Sequence, residues 1–235
     1  MREAKTTDPE TVSPTTQREA SHDTTAAARG ILFVISSPSG GGKGTLIKRV
    51  MPVVPRLGYS VSWTTRPPRE GERHGVHYYF VSVDEFNAAR ASGEFLEWAI
   101  VHKHYYATSF RAVEEELLAG RDVILEIDVQ GAQSVKQLRI DSVSVFILPP
   151  SFEVLRERLT ARESENEGQL AIRLGNSRAE VERYSEFDYV VLNDDADLAA
   201  ERLAAIVLAE RARRERQEML ARSVLATFPD TADRA

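Results

Sequence analysis

The residues with the clearest chemical potential form a glycine-rich loop near the start of the chain. An apolar run over 31–35 predicts a strand buried on both faces, and Leu46-Ile47 resume at helical spacing. Glycines let backbone N–H groups turn toward an anion, the helix start adds positive potential, and a lysine adds a mobile charge. The sequence therefore predicts a phosphate-binding loop. Its residues are Ser37, Pro38, Ser39, Gly40, Gly41, Gly42, Lys43, Gly44 and Thr45.

This phosphate-binding loop departs from the pattern G-x-x-x-x-G-K-[ST] at two positions. Ser37 stands at the first glycine, and Gly44 replaces the hydroxyl residue expected after the lysine, with Thr45 one position later. Because Thr45 points about 100° further around the helix, it is a poor replacement for that hydroxyl. An ordinary glycine-rich turn between a core strand and a helix is the alternative interpretation.

Two arginines form a second candidate anion site. Arg66 and Arg69 lie three residues apart in the proline- and glycine-punctuated segment 64–75, where their guanidinium groups can converge. A guanidinium fork matches the oxygens of a phosphate in a way that an ammonium does not. The alternative is a solvated loop whose arginines are incidental.

One carboxylate is suited to reading a base. Glu97 lies inside the apolar run Phe95–Val101, so we expect it to be partly buried and to need hydrogen-bond donors. Guanine offers its N1–H and amino group, whereas adenine has an acceptor at N1 and would leave the carboxylate unpaired. Ser62 lies near the end of another predicted strand in the same region. The alternative for Glu97 is an outward-facing strand residue.

Two further acids suit a metal ion. Glu126 and Asp128 share one face at the carboxyl end of a predicted strand over 122–128. That edge of a parallel sheet is where ligands bind, and paired acids there suit the water shell of Mg²⁺. The alternative is ordinary N-capping of the next helix.

Three arginines flank the charged junction Glu163–Gly168. Arg158, Arg162 and Arg173 beside a phosphate-binding loop predict a lid that closes on a phosphate donor and spreads transition-state charge. Solvated helix faces are the alternative for these arginines.

Composition narrows the class of protein. The chain has 235 residues, 42% hydrophobic and 28% charged, with a formal net charge of -6 and no cysteine. These values predict a globular protein of a reducing, cytoplasmic compartment, without general attraction to nucleic acid or a membrane surface. Residues 1–29 are polar and acidic and predict a disordered leader.

The order of predicted elements indicates an α/β fold. Continuous apolar strands alternate with helices, which predicts a parallel sheet with helices on both faces. The stretch 59–108 has short alternating strands, beginning with Tyr59–Trp63, and predicts an inserted lobe. In that lobe we expect Asp84 to cap a helix over 85–91. One long helix is expected over 198–220, with a frayed tail after it.

These residues resemble the guanylate kinases. The most specific match is Ser62-Trp63-Thr64-Thr65-Arg66-Pro67-Pro68-Arg69-Glu70-Gly71-Glu72, continuing through Gly75 to Tyr78 and Phe80. Further matches are Phe95-Leu96-Glu97-Trp98, Tyr105-Tyr106, Leu125-Glu126-Ile127-Asp128-Val129-Gln130-Gly131 and Val191-Leu192-Asn193-Asp194. The matches follow the family's order over residues 30–210.

The resemblance implies a P-loop NTPase-type core with an inserted nucleotide-monophosphate-binding lobe and a helical lid. The implied boundaries are 30–58, 109–157 and 186–210 for the core, 59–108 for the GMP-binding lobe, 158–185 for the lid, and 211–235 for a helix end and frayed tail. The implied reaction is ATP-dependent phosphorylation of GMP, and of dGMP, with Mg²⁺ and with small-molecule substrates only.

The resemblance also implies roles for individual residues. ATP is assigned to the phosphate-binding loop and to Asn193, which lies where the family contacts adenine. GMP is assigned to Ser62, Arg66, Arg69, Tyr78, Glu97, Tyr106, Thr108 and Asp128. The implied catalytic residues are Lys43, Arg66, Arg158, Arg162 and Arg173.

Three departures from the family pattern bear on rate. The segment Gly42–Thr45, with Gly44 after the lysine, resembles the loop of adenylate kinases, so Gly44 does not by itself indicate an inactive protein. Ala107 stands where glycine is common, and Ala161-Arg162-Glu163 replaces a usual Gly-Arg-Gly, which would stiffen the lid hinge. Two other functions stay open: an inactive guanylate-kinase-like module that binds phosphorylated peptides, and a kinase for another phosphorylated small molecule.

Overall fold

A computed structural model describes residues 29–101, 103–161 and 167–229, with the backbone alone for 167–170. The strands in these ranges are β1 (Leu32–Ser36), β2 (Leu57–Tyr59), β3 (Trp63–Thr64), β4 (Tyr79–Phe80), β5 (Phe95–Val101), β6 (His104–Ser109), β7 (Asp122–Glu126), β8 (Ser142–Leu148) and β9 (Tyr189–Leu192). The helices are α1 (Lys43–Val50), α2 (Val83–Ala91), α3 (Phe110–Leu118), α4 (Val129–Gln137), α5 (Phe152–Thr160), α6 (Glu167–Glu182), α7 (Ala196–Arg211), α8 (Arg214–Leu225) and a 3₁₀ helix (Arg183–Glu186).

The central sheet has five strands in the order β2-β7-β1-β8-β9, and every neighbouring pair is parallel. Side chains alternate across β1: Phe33 and Ile35 pack in one buried cluster with α1 and α7, and Leu32 and Val34 in another with α3 and α4. Because both faces of β1 are covered, its sequence is continuously apolar. The predicted α/β fold with helices on both faces of a parallel sheet is confirmed.

A second sheet of four strands has the order β4-β3-β6-β5. β3 pairs parallel with β4 and antiparallel with β6, and β5 pairs antiparallel with β6. On one face the aromatic ring of Phe86, from α2, packs against Phe95 and Tyr105 with ring centroids 4.8 and 5.0 Å away. This aromatic packing leaves the opposite face of the sheet available for polar side chains.

The expectation of one strand over Tyr59–Trp63 is wrong. Tyr59 ends β2 in the central sheet, and the Ser60 amide continues that ladder by donating to the Ile124 carbonyl. Ser62 instead accepts from the Tyr79 amide in the second sheet. The chain therefore changes sheets within three residues, a break that alternation of side chains does not reveal.

Two helix expectations also need correction. Ser82, not Asp84, caps α2, because Ser82 and Glu85 form a reciprocal capping box. The long helix expected over 198–220 is two helices, separated by an extended Arg213, and the second continues to Leu225 where a frayed tail was expected. The Gln217 amide donates to the Arg211 carbonyl, which satisfies an otherwise orphaned group at the break.

The predicted leader lies outside the described residues except for Arg29, whose guanidinium group binds Glu114 at 2.6 and 2.7 Å. Arg162 also lies outside them. Among the helices in the described ranges, none combines the length and the apolar character needed to span a bilayer.

A buried carboxylate fastens the amino end of the central sheet. Asp122 is 5% exposed, and its Oδ1 accepts from the Ile31 amide at 2.8 Å while its Oδ2 accepts from Arg211 Nε at 2.7 Å. Arg211 also donates to the Pro55 carbonyl. The ion pair of Asp122 and Arg211 therefore joins the start of β1, β7, α7 and the segment before β2.

We expect Asp122→Ala to lower the free energy of unfolding by about 2–4 kcal/mol, because it leaves a buried amide and a guanidinium group without their acceptor. Urea unfolding followed by circular dichroism measures the change. Glu115→Ala, which removes an exposed pair with Arg111, is the matched control and should stay within about 0.5 kcal/mol. Equal losses in the two variants would contradict the anchoring role of Asp122.

Candidate active site

The phosphate-binding loop connects β1 to α1 at the carboxyl edge of the central sheet. Gly40 and Gly42 have left-handed φ angles of 83° and 96°. A Cβ on Gly42 would lie 2.3 Å from Asn193 Nδ2, so both conformation and space require glycine there. The loop thus takes the tight turn on which amide convergence toward an anion depends.

Asn193 supports this loop from β9. Its Nδ2 donates to the Gly41 carbonyl at 2.8 Å, and its side chain is buried with Oδ1 unpartnered. The resemblance implied that Asn193 contacts adenine, which stays a prediction, and the structure places its Nδ2 against the loop backbone. The observed contact is therefore one of loop support.

Two cations lie at the loop. Lys43 is the first residue of α1, and no hydrogen bond or ion pair joins its ammonium group to another residue in the described part of the chain. Arg158, from α5, donates from Nη2 to the Asn193 carbonyl at 3.0 Å. Its Nη1 is buried, has no hydrogen-bond partner among the described residues and lies 3.9 Å from a Cβ built on Gly42. A buried donor without an acceptor at a phosphate-binding loop is suited to a phosphate oxygen.

Arg173 lies half-buried in α6, the helix that follows the part of the junction outside the described residues. The same helix contacts the loop, because Glu180 Oε2 accepts from the Ser39 amide at 2.9 Å. Sequence reasoning missed Glu180, which has no recognisable signal on a helix rich in charge.

A second cation cluster lies in the loop between β3 and β4. Arg66 Nη2 donates to both oxygens of Glu72 at 2.8 and 2.9 Å, and its guanidinium carbon lies 5.5 Å from the centroid of the Tyr78 ring. Tyr78 in turn contacts Tyr106 edge-to-face at 5.9 Å. Arg69 is exposed, and its amide donates to Glu72 Oε2 at 2.8 Å. The structure therefore gathers four of the predicted phosphate ligands around one carboxylate that was not predicted.

The ionisation of this cluster follows from its packing. Burial raises the pKa of Tyr78 to about 12, with the charge of Glu126 acting in the same direction, so the hydroxyl stays a donor at neutral pH. Burial alone would raise the pKa of Glu72, but the hydrogen bonds from the Arg69 amide and the Arg66 guanidinium group lower it overall. The pair of Arg66 and Glu72 is consequently fully charged.

Three polar side chains form a row across the second sheet. Thr108 of β6 pairs with Glu97 of β5, and the pairing of Trp63 with Ala107 puts Ser62 next to Thr108 on its other side. Residues in cross-strand register share one face of a sheet. Ser62, Thr108 and Glu97, all less than a tenth exposed, therefore face the same side.

A β-bulge places Glu97 on that side. Phe95 pairs with Ser109 whereas Glu97 pairs with Thr108, so the register shifts between two residues that would share a face in a regular strand. Phe95 consequently packs with Trp63 on the aromatic side, and Glu97 turns to the polar side. Sequence reasoning predicted the buried acid but had no signal for the bulge.

The Glu97 carboxylate has an unusual environment. Its Oε1 accepts from Thr108 Oγ1 at 2.7 Å, and a Cβ on Gly131 of α4 would lie 2.9 Å from its Oε2. Burial raises the pKa of Glu97 to about 7, and the neighbouring charge of Asp128 adds to the effect. A half-neutral buried carboxylate is suited to a ligand whose donors favour the charged form.

The expectation that Glu126 and Asp128 lie on one strand is wrong, while their joint role at a metal ion stays a prediction. The strand ends at Glu126, and Asp128 is the N-cap of α4, with Oδ1 accepting from the Gly131 amide at 2.8 Å. Asp128 lies on the side of Glu97, whereas Glu126 lies at the loop, where its carboxylate oxygens are 3.4 and 3.5 Å from a Cβ built on Gly44. Capping of the next helix is thus an observed contact of Asp128.

The environment of Glu126 bears on magnesium. The Tyr59 hydroxyl donates to Glu126 Oε2 at 3.2 Å, which orients the carboxylate next to the loop. No cluster of three metal-ligating side chains occurs within the described ranges. Mg²⁺ is commonly held by one or two carboxylates together with waters and substrate phosphates, so a single oriented carboxylate beside a phosphate-binding loop fits this ion.

Comparison with known proteins agrees with this architecture. The guanylate kinase family model matches residues 29–210. A guanylate kinase of Rhizobium meliloti is 50% identical over 192 residues, which cover 81% of this chain and 88% of that protein. A guanylate kinase of Geobacter metallireducens is 46% identical over 184 residues, 78% of this chain and 91% of that protein.

A solved structure agrees with these relatives. The crystal structure of guanylate kinase from Anaplasma phagocytophilum superimposes with a TM-score of 0.70 at 33% sequence identity, covering 86% of this chain and 97% of that one. The family match spans the phosphate-binding loop, the arginine loop and the row that contains Glu97. By its family-model match, its sequence identity to these relatives and its fold, the chain belongs to the guanylate kinase family of enzymes.

Proposed function

We propose that this protein transfers the γ-phosphoryl group of ATP to GMP, and also to dGMP, giving ADP and the guanosine diphosphate. The observation that carries the proposal is the buried Glu97 carboxylate, in one row with Ser62 and Thr108. A carboxylate that can accept further hydrogen bonds can accept them from the N1–H and amino group of guanine, whereas adenine would leave it unpaired. Because no residue is assigned to the ribose 2′-hydroxyl, we expect dGMP to be a substrate as well.

The proposed assignment separates two phosphate sites. The phosphate-binding loop, Lys43 and Arg158 hold ATP, and the cluster around Arg66 holds the phosphate of GMP. Support comes from the unpartnered Nη1 of Arg158 beside the loop and from the preformed contact of Arg66 with Tyr78. Tyr106 and Arg69 complete the acceptor cluster in this proposal.

In the proposed reaction an oxygen of the GMP phosphate attacks the γ-phosphorus of ATP, and the bond from that phosphorus to the β,γ-bridging oxygen breaks. The attacking phosphate needs no general base, because its second pKa near 6 makes it largely a dianion at neutral pH. The protein therefore has to position two polyanions in line and to offset their charge. Lys43 and Arg158 act on the transferred group, together with Arg162 and Arg173.

A bound Mg²⁺ would supply positive charge that offsets the negative charge developing on the phosphates. Glu126 is the residue proposed to hold it through water, because its carboxylate lies beside Gly44 of the loop. We assign Asp128 to the GMP site. Its water-mediated role toward the metal ion is secondary to that of Glu126.

The proposed domain division keeps the predicted boundaries: a core (30–58, 109–157 and 186–210), a GMP-binding lobe (59–108) and a lid (158–185). The two separate sheets support the first two units, although Tyr59 pairs within the central sheet. Free nucleotides as substrates are compatible with a cytoplasmic location, which stays a prediction.

A catalytically inactive phosphopeptide-binding module is the second candidate. It would need the arginine cluster but not the donor site. The loop with Lys43 and the buried donor of Arg158 favour the enzyme, because a module without turnover has no use for them. A kinase for another phosphorylated molecule would have no use for Glu97 in its buried row.

We expect Lys43→Ala to lower kcat about 100-fold or more, because it removes a cation aimed at the transferred charge, while the melting temperature stays near that of the wild type. Coupled ADP-release assays and thermal unfolding measure the two effects. Lys48→Ala, an exposed lysine of the same helix, is the matched control. Full activity of the Lys43 variant would refute the donor-site assignment.

We expect the wild type to phosphorylate GMP and dGMP in preference to AMP and UMP, and Glu97→Gln to reduce kcat/KM for GMP selectively. Because the free carboxylate has a pKa of about 7 and guanine binds its charged form, the KM for GMP should fall about tenfold from pH 6 to pH 8. The glutamine variant keeps only the part of this dependence that belongs to the GMP phosphate. Equal use of GMP and AMP by the wild type would overturn the guanine assignment.

We expect Gly44→Ser to lower the Mg²⁺ concentration needed for half-maximal turnover several-fold. The new Cβ fits 3.4 Å from Glu126 Oε1, and its hydroxyl adds a metal ligand. Gly44→Ala is the matched control, since it adds the Cβ without the hydroxyl. Calorimetric ATP affinity with and without Mg²⁺ gives a second readout. An unchanged magnesium dependence in the serine variant would show that a hydroxyl is unimportant here.

A further inference from the structure

The contact between α6 and the phosphate-binding loop is made by a carboxylate. Glu180 Oε2 accepts from the Ser39 backbone amide at 2.9 Å, across 141 residues of sequence, in a partly buried setting. Hydrogen bonds of this type to an ionised acceptor are stronger than neutral ones. The bond therefore fixes one point of α6 against one point of the loop.

Ser39 lies where the loop begins its left-handed turn. Gly40, the next residue, has φ 83°, and its position is bounded by Leu155 and Leu159 of α5, which lie 2.9–3.1 Å from a Cβ built on it. Asn193 holds the other side of the turn through the Gly41 carbonyl. Glu180 and Asn193 thus form hydrogen bonds with the loop backbone from two different parts of the fold.

The position of Glu180 on α6 gives the bond a consequence for Arg173. Seven residues separate the two, which is nearly two turns, so both project from the same face of the helix. Ser177, between them on that face, is 2% exposed, whereas Asn176 and Arg178 beside it are exposed. A bond from Glu180 to the loop therefore turns the Arg173 face of α6 toward the core.

We propose that Glu180 is a positioning residue that latches the lid helix to the phosphate-binding loop, so that closure presents Arg173 to the transferred phosphoryl group. The inference rests on the proposed phosphoryl transfer but concerns a residue that contacts neither substrate. The latch closes through the protein's own backbone amide. Lid closure is consequently favoured before nucleotide adds its contacts, and the position of α6 depends on one acceptor oxygen.

The test compares Glu180→Ala with Glu180→Gln. The alanine variant loses the acceptor, and we expect kcat to fall about tenfold while the KM for GMP changes by less than about twofold. The glutamine variant keeps an acceptor oxygen and should recover most of the activity. Glu182→Ala is the matched control, because Glu182 lies on the same helix, is exposed and pairs only locally with Arg178.

A second readout is independent of turnover. Because the chain has no cysteine, Asn176→Cys and Lys48→Cys, both at exposed positions, allow a pair of spin labels on α6 and α1. Without nucleotide, the short-distance population should shrink in Glu180→Ala and return in Glu180→Gln. Failure of the proposed function would appear as absent GMP phosphorylation in the wild type, with these distances unaffected.

Three results would overturn the latch. One is a Glu180→Ala variant with wild-type kcat and wild-type label distances. Another is a loss no larger than that of Glu182→Ala. The third is a glutamine variant that behaves as the alanine variant does, since the acceptor oxygen would then be irrelevant.

Discussion

The site depends on a constraint of the backbone: a short loop must hold left-handed turns at Gly40 and Gly42 while its amide groups face an anion. Such a turn has few contacts of its own, and glycine gives up much conformational freedom when it is fixed. Two side chains from outside the loop stabilise these turns. Asn193 donates to the Gly41 carbonyl, and Glu180 accepts from the Ser39 amide. The order of the strands contributes to this, because β1, β8 and β9 are parallel neighbours and Asn193, which follows β9, therefore lies at the carboxyl edge of the sheet, as the loop does.

The base-reading side rests on a different device, a register shift. The bulge before Glu97 turns its carboxylate away from the aromatic face and toward Thr108. Burial there disfavours the charged form and raises the pKa of Glu97. In the proposed function, guanine provides the hydrogen-bond donors that water would provide to an exposed carboxylate. A base without those donors would leave the buried carboxylate unpaired, which costs binding free energy. Gly131 leaves the space that this carboxylate occupies.

The sequence predicted the fold class because continuous apolar runs such as β1 have one physical explanation, burial on both faces. It also predicted the loop and Arg66, whose chemistry is local. It could not predict the change of sheet after Tyr59, the bulge at Glu97, or the acids that bind Arg66 and Ser39. Those depend on register and packing, which residue type and spacing do not encode. The expectation that Asp128 lies on the same strand as Glu126 is wrong, because the strand ends two residues earlier.

Each of the two proposed phosphate sites contains a carboxylate that already accepts a hydrogen bond from one of the donors of that site. Glu72 binds Arg66 through both oxygens, and Glu180 binds the Ser39 amide. Each acid reduces the local positive charge, so neither can be explained as a device for attracting phosphate. An unpaired, partly buried guanidinium group or amide would be costly, and a freely rotating one would have to be ordered when substrate arrives. Because Glu72 and Glu180 already bind these donors in the folded protein, the donors are ordered during folding and not when substrate binds. The remaining attraction for phosphate then comes from groups that have no side-chain partner among the described residues. They include Lys43 and Nη1 of Arg158 at the loop, where the proposed transfer occurs, and the guanidinium group of Arg69 at the acceptor site.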